Sequence, residues 1–269
     1  MYMMHQYWMG RYVYVKAYTP KAFGAPLKAR MKKMRETPEA MKKYNNQKRS
    51  EKLQMLILSN FDKGYHVTLD YPKGQKPETY EQAEKNLTTT LYKVSRRLKK
   101  QGKKFKYLAV TERGKRAAAL HHHLIIEHDQ DILHELLEIW GQHVHISVMY
   151  EEGQYKDLAD YFIKMETKEE QTKGKSKYHR SRNLVKPVER KLMITGELQD
   201  EPFVPKGYEL MDGSLINGTN DMIGIRYQHY MLRRLPEPKA PRQEKEEDKC
   251  IKRESIWTRL KNKLFGRKK

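Results

Sequence analysis

One cysteine, Cys250, occurs in 269 residues, so neither an internal disulfide nor a cysteine-based zinc cluster can form. Long apolar runs are missing too. Stretches such as Met55–Leu58 stop at four residues, where a bilayer span needs about 20. The opening residues lack the apolar stretch of a secretory signal peptide. Together these absences predict a soluble, cytoplasmic protein without a transmembrane segment. Acidic residues are scarce: 34 Asp and Glu face 55 Lys and Arg, a formal charge of +21. Such a charge repels itself in a compact state unless a polyanion neutralises it, and nucleic acid is the expected polyanion. Apolar residues make up 38% of the chain and charged residues 33%, so a packed core cannot occupy all of it. Its length suits one domain with extensions, or two small domains.

Composition divides the chain. Residues 1–60 hold thirteen Lys/Arg and three acids. Arg11 to Tyr18 alternates as a strand would, and Pro38 to Leu58 reads as a helix entered at Thr37. Beyond Pro236, Pro238 and Pro241 comes a charged stretch that ends in a basic amphipathic pattern of Ile256, Trp257, Leu260, Leu264 and Phe265. The expected division is a basic N-terminal arm over 1–50, a domain over 51–235 and a charged tail over 236–269.

The middle is strongly patterned. Tyr65, Val67 and Leu69 alternate with polar residues, predicting a strand. Thr79 and Gln82 have capping-box spacing ahead of Tyr80, Ala83, Leu87, Leu91, Val94 and Leu98, a long amphipathic helix. Phe105–Thr111 and Leu120–Glu127 read as two strands of a hairpin. Ile132–Trp140 marks a helix, Val144–Val148 a fourth strand, and Leu158, Phe162 and Met165 a third helix. The order β-α-β-β-α-β-α predicts an α+β, ferredoxin-like (split βαβ) antiparallel sheet. It should carry helices on one face, leave the other open, and have its first and third strands at the centre.

The third of these strands carries His121, His122 and His123. Side chains alternate across a strand, so His121 and His123 share a face while His122 points the other way with Leu120, Leu124 and Ile126. Two imidazoles so placed can grip one cation. Glu112 ends the partner strand and can return beside His121. Two His and one carboxylate would leave coordination positions open for water and a substrate oxygen. On the third helix, Tyr161 and Lys164 share a face, with Tyr161 at the margin of the apolar stripe.

His121-His122-His123-Leu124-Ile125-Ile126, followed by Leu158-Ala159-Asp160-Tyr161-Phe162-Ile163-Lys164, resembles the HUH endonuclease family. More narrowly, it resembles rolling-circle replication initiator (Rep) proteins of Gram-positive plasmids and integrated elements. Tyr65–Tyr71 resembles that family's first motif, Tyr107–Glu112 the strand entering its hairpin, and Tyr178–Pro187 a stretch following its tyrosine helix. Two departures stand out. His122 replaces the usual bulky apolar residue, and His143-Val144-His145 fits the literal pattern better but falls on an expected edge strand.

The resemblance implies a metal-dependent, site-specific single-stranded DNA endonuclease and strand transferase of a bacterial mobile element. Tyr161 would be the nucleophile, assisted by Lys164, and would form a 5′-phosphotyrosine link. His121, His123 and Glu112 would hold Mg²⁺ or Mn²⁺. Arg113, Lys115 and Arg116, and beyond the helix Lys177, Arg180 and Arg182, would meet the DNA backbone. The implied partners are single-stranded or cruciform DNA at a replication origin, a DNA polymerase that extends the freed 3′-OH, and a host or element helicase. The Gly-x-x-x-x-Gly-Lys-Ser/Thr loop of an internal helicase is missing. A relaxase or single-tyrosine transposase would use the same chemistry. A non-catalytic RNA-binding module is the alternative of another class; its sheet would present aromatics on the open face.

Overall fold

The computed structural model describes residues 1–20, 38–114, 119–149, 155–166, 178–220 and 225–236. Its elements run β1 (Tyr2–Met9), β2 (Tyr12–Tyr18), α1 (Pro38–Asn60), β3 (Tyr65–Leu69), α2 (Tyr80–Lys100), β4 (Tyr107–Arg113), β5 (Leu120–Ile126), α3 (Gln130–Trp140), β6 (Val144–Val148), α4 (Lys156–Glu166), β7 (His179–Arg180), β8 (Val188–Ile194), β9 (Tyr208–Leu210), β10 (Ile216–Asn220) and β11 (Ile225–Arg234).

The central sheet is antiparallel, in the order β6-β3-β5-β4-β7. Its strands β3 and β5 lie inside, as the split βαβ reading requires. Helix α2 starts where the sequence marks it: the Thr79 hydroxyl accepts from the Gln82 backbone N–H at 3.2 Å. Asp129 does the same for α3, accepting from the backbone of Asp131 at 2.8 Å and of Ile132 at 3.4 Å. The apolar stripes of α2 and α3 close one face of the sheet, with Leu87, Leu91, Val94, Leu98, Ile132 and Leu136 packed against Tyr65, Val67, Leu69, Ala109, Leu124 and Ile126.

The α+β architecture follows the expectation, with one difference: the second face is not open. Leu108, Val110 and Ile125 make part of it apolar, and α1 (Leu53, Ile57, Leu58, Phe61) and α4 (Ala159, Phe162, Ile163) cover that part. A sheet face carrying three large aliphatic side chains has to bury them. The polar end, with His66, Thr68, Glu112, His121 and His123, remains at the margin.

A second sheet, in the order β10-β11-β2-β1-β8 with β9 paired to β11, joins both ends of the described chain. Residues 2–18 are therefore two inner strands of a sheet, where the sequence suggested an arm. Met9, Tyr12, Met211 and Met231 from this sheet enter the same core as α1 and α4. These two helices thus form a middle layer between the sheets. Among the described residues no helix is long and apolar enough to cross a membrane. The charged tail from residue 237 onward lies outside the described residues.

Candidate active site

Strand register brings the acid to the imidazoles. Glu112 stands directly opposite His121 across the β4–β5 hairpin, and Val110 opposite His123. Alternation along β5 then sets His121 and His123 on one face. The Glu112 Oε2 atom lies 3.5 Å from His121 Nε2 and 3.4 Å from His123 Nε2. Among the described residues, Glu112, His121 and His123 form the one group whose donor atoms could hold a metal ion, all lying within 4.8 Å of one another.

The donor set fits a divalent cation. Donors sharing one ion at bonds of about 2.0–2.2 Å stand about 3–3.5 Å apart, and the observed separations fall in that range. Burial, reinforced by His66, His121 and His122, pushes the His123 imidazole down to about 3, so it is a neutral lone-pair donor at physiological pH. The opposite ring nitrogen is held. His123 Nδ1 lies 3.2 Å from Thr68 Oγ1 and 3.2 Å from His66 Nε2, so its proton belongs there and Nε2 faces the cluster. His66 is itself kept low by burial.

Tyr161 reaches this cluster from α4. Its hydroxyl donates to Glu112 Oε2 at 3.1 Å and lies 3.4 Å from His123 Nε2. The ring meets His123 edge-on, centroids 5.4 Å apart. The helix is seated from below by Ala159, Phe162 and Ile163, and Ser50 of α1 donates a short hydrogen bond to Asp160. Tyr161 itself stays 40% exposed, at the mouth of the recess. Burial, then the Glu112 charge, pushes its phenol up to about 12. Without a neighbouring cation this tyrosine is fully protonated at neutral pH.

His122 faces away, into a buried chain of hydrogen bonds. Thr111 Oγ1 donates to Glu84, so it accepts from His122 Nδ1 at 2.9 Å, and His122 Nε2 accepts from Tyr71 Oη at 2.7 Å. Glu84 also takes the ring of His179 on β7. The imidazole therefore replaces the expected apolar residue without leaving a buried polar atom unmet.

Of the residues singled out in the sequence, Glu112, His121, His123 and Tyr161 converge. Arg113 is exposed at the end of β4, beside them. Lys164 follows Tyr161 by one turn of α4, but its side chain lies outside the described residues, as do Lys115, Arg116 and Lys177. Arg180 and Arg182 are elsewhere. Arg180 pairs with Leu108, four residues before Glu112 on the adjacent strand, so it is about 13 Å away along the sheet at ~3.3 Å per residue. His145 is 80% exposed on the edge strand, 3.6 Å from Asp70, and does not join the cluster. His66 and Thr68 were not singled out in the sequence. Their signal was there: they alternate with Tyr65, Val67 and Leu69, which fixes them on the face opposite the apolar core.

Residues 64–170 match the family model of the replication-associated protein ORF2. This segment is a Rep domain of the HUH type. No curated protein and no solved structure matches the chain. The matched span runs from the start of β3 past the end of α4. It therefore contains every member of the cluster around the Rep domain's Glu112, together with the helix that carries Tyr161.

Proposed function

We propose that this protein is a metal-dependent nickase and strand transferase that starts rolling-circle replication by attaching itself to one DNA strand. The observation that carries the reading is the position of the Tyr161 hydroxyl, 3.1 Å from Glu112 and 3.4 Å from His123. A helix and a strand hairpin 38 residues apart deliver the phenol and the imidazole to one point.

Glu112, His121 and His123 would hold the divalent cation, Mg²⁺ or Mn²⁺. When bound, it supplies positive charge that polarises a phosphate oxygen and favours the phenolate. Thr68 and His66 keep the His123 ring turned toward the cluster. Tyr161 Oη attacks the phosphorus of a single strand, forming one P–O bond as the bond to the leaving 3′ oxygen breaks. The phenol proton leaves through the solvent that reaches the mouth, because its two nearest acceptors are ligands. The products are a 5′-phosphotyrosine and a 3′-OH. The diester count is unchanged, so the strand can be rejoined without ATP. Arg113 would hold the neighbouring phosphate at the hairpin end, and Lys164 would add positive charge one turn after the nucleophile. A relaxase or transposase would share this chemistry; the replicative assignment draws on the family of residues 64–170. A binding-only RNA sheet would need an open aromatic face, and here α1 and α4 cover much of that face.

The test is direct. Incubated with Mn²⁺ and single-stranded oligonucleotides tiling its own replicon, the protein should form denaturant-stable adducts at one position. Tyr161→Phe should form none. Adducts persisting in that variant would remove Tyr161 as the nucleophile.

A further inference from the structure

On the reverse face of the central sheet, a groove of about 990 Å³ runs between the C-terminal half of α2 and the β7 strand with the turn after it. We propose that this groove is a second binding surface, one that takes single-stranded DNA away from the metal cluster. Its position follows from strand alternation. Tyr107 shares its face of β4 with Ala109 and Thr111, toward α2, whereas Glu112 shares the opposite face with Leu108 and Val110. A strand in the groove therefore cannot occupy the cluster at the same point. It must pass around the β7 edge.

The lining matches unpaired nucleic acid. Among the described residues no acid contributes to it, while Lys99, Lys104, Arg180 and Arg182 do, all exposed. Among the described residues none of these four makes an ion pair. Lys103, also in the lining, is already held by Asp129 and Asp131. Cations without carboxylate partners along a concavity are free to release counterions from phosphates. Two aromatic rings lie among them. Tyr92 is 66% exposed on α2, a large apolar side chain with no packing role, and Tyr107 is half-buried at the floor, its ring 5.0 Å from that of Phe105. Exposed rings between cations are what unpaired bases stack on, and stacking needs no particular sequence. Duplex DNA would hide its base faces from Tyr92. The choice of DNA over RNA rests on the replication-family reading. The groove itself rests on its own side chains.

The experiment measures binding of a fluorescent oligothymidylate to the full chain in EDTA. Tyr92→Ala should raise the dissociation constant about tenfold. Lys99→Glu with Lys104→Glu should raise it further and reduce the salt dependence of log K by about 1.4, ~0.7 for each phosphate of a single strand that is no longer neutralised. All three positions are exposed, so thermal melting should not move. Photocrosslinking with iodouracil-substituted DNA should label the peptides carrying Tyr92 or Tyr107. Wild-type affinity in both variants, or crosslinks confined to the β4–β5 hairpin and α4, would overturn the proposal. Tighter binding of matched oligouridylate would overturn the assignment to DNA. Because binding is read without divalent cation on uncut strands, failure of Tyr161 as nucleophile would leave this result standing, and the reverse also holds.

Discussion

Tyr161 is held in its least nucleophilic state by the carboxylate it needs. Glu112 accepts its proton and, together with burial, keeps the phenol near 12. A cation shared by Glu112 and the imidazoles reverses the sign of that field at the same place. In metal-free protein, Glu112→Gln should therefore lower the Tyr161 titration toward 10.0 without reaching it, because burial is the larger cause. Phenolate absorbance, taken as a difference against Tyr161→Phe, reads this shift; no movement would mean the carboxylate is not what raises the phenol. His122 gives a second prediction. Burial holds it down to about 3, against an ordinary value of 6.5. The unfolded chain then takes up a proton before the folded one. The stability this provides is complete above pH 6.5 and is lost as the pH falls toward 3, at up to about 1.4 kcal/mol per pH unit for each such group. In His122→Leu, urea midpoints between pH 4 and 6 should fall less steeply, although the variant starts lower because Tyr71 and Thr111 lose their partner. An unchanged slope would show that His122 is not the group that titrates.

At the scale of elements, the entry into β3 is the tightest joint. A Cβ on Gly64 would stand 2.6 Å from the Ile126 carbonyl oxygen and 3.2 Å from Met149 Sδ. Backbone cannot yield as a side-chain tip does. Gly64→Ala should cost about 1–3 kcal/mol by denaturant titration, and it should also loosen His66 and Thr68, which follow on the same strand. Wild-type stability would mean the strands separate freely. The four strands and three helices of the central sheet were legible because each carries a full period of apolar residues, and Thr79 and Asp129 mark two of the starts. The strand Tyr107–Arg113 was anticipated two residues early at each end, since Phe105 is buried as a loop residue and counts as apolar in any window. Glu112 beside His121 was legible from the hairpin's symmetry. Strand β7 was not, since two residues carry no period. Nor were β8 to β11, where Glu189, Arg190 and Lys191 sit exposed on an edge and blur the alternation. The closure of the second face by α1 was hidden for a different reason: its apolar residues cluster late in a long basic helix, and no local pattern says which sheet they meet.

For the whole molecule, the +21 charge and the modest apolar fraction coexist because the core is divided. One cluster lies under α2 and α3, one around α1 and α4, and a small one within the second sheet, where Met4, Val13, Val15, Tyr230 and Leu232 meet. The middle cluster joins residues as distant as Met9, Leu53, Phe162 and Met231. The helix bearing Tyr161 has no other floor. Consequently the stretch that matches the replication family is not a portable cassette. Cut out as residues 64–170, it would leave Ala159, Phe162 and Ile163 facing water where α1 had been, with each large side chain giving up about 1.5–3 kcal/mol of burial. Such a fragment should show no cooperative urea transition and no adduct formation, whereas the full chain should show both. A fragment that unfolds sharply and still labels DNA would mean the outer sheet is dispensable. Otherwise, the first strands of the chain and the last described ones are the bed on which a distant phenol is laid, and changes there should be felt as lost chemistry before they are felt as lost fold.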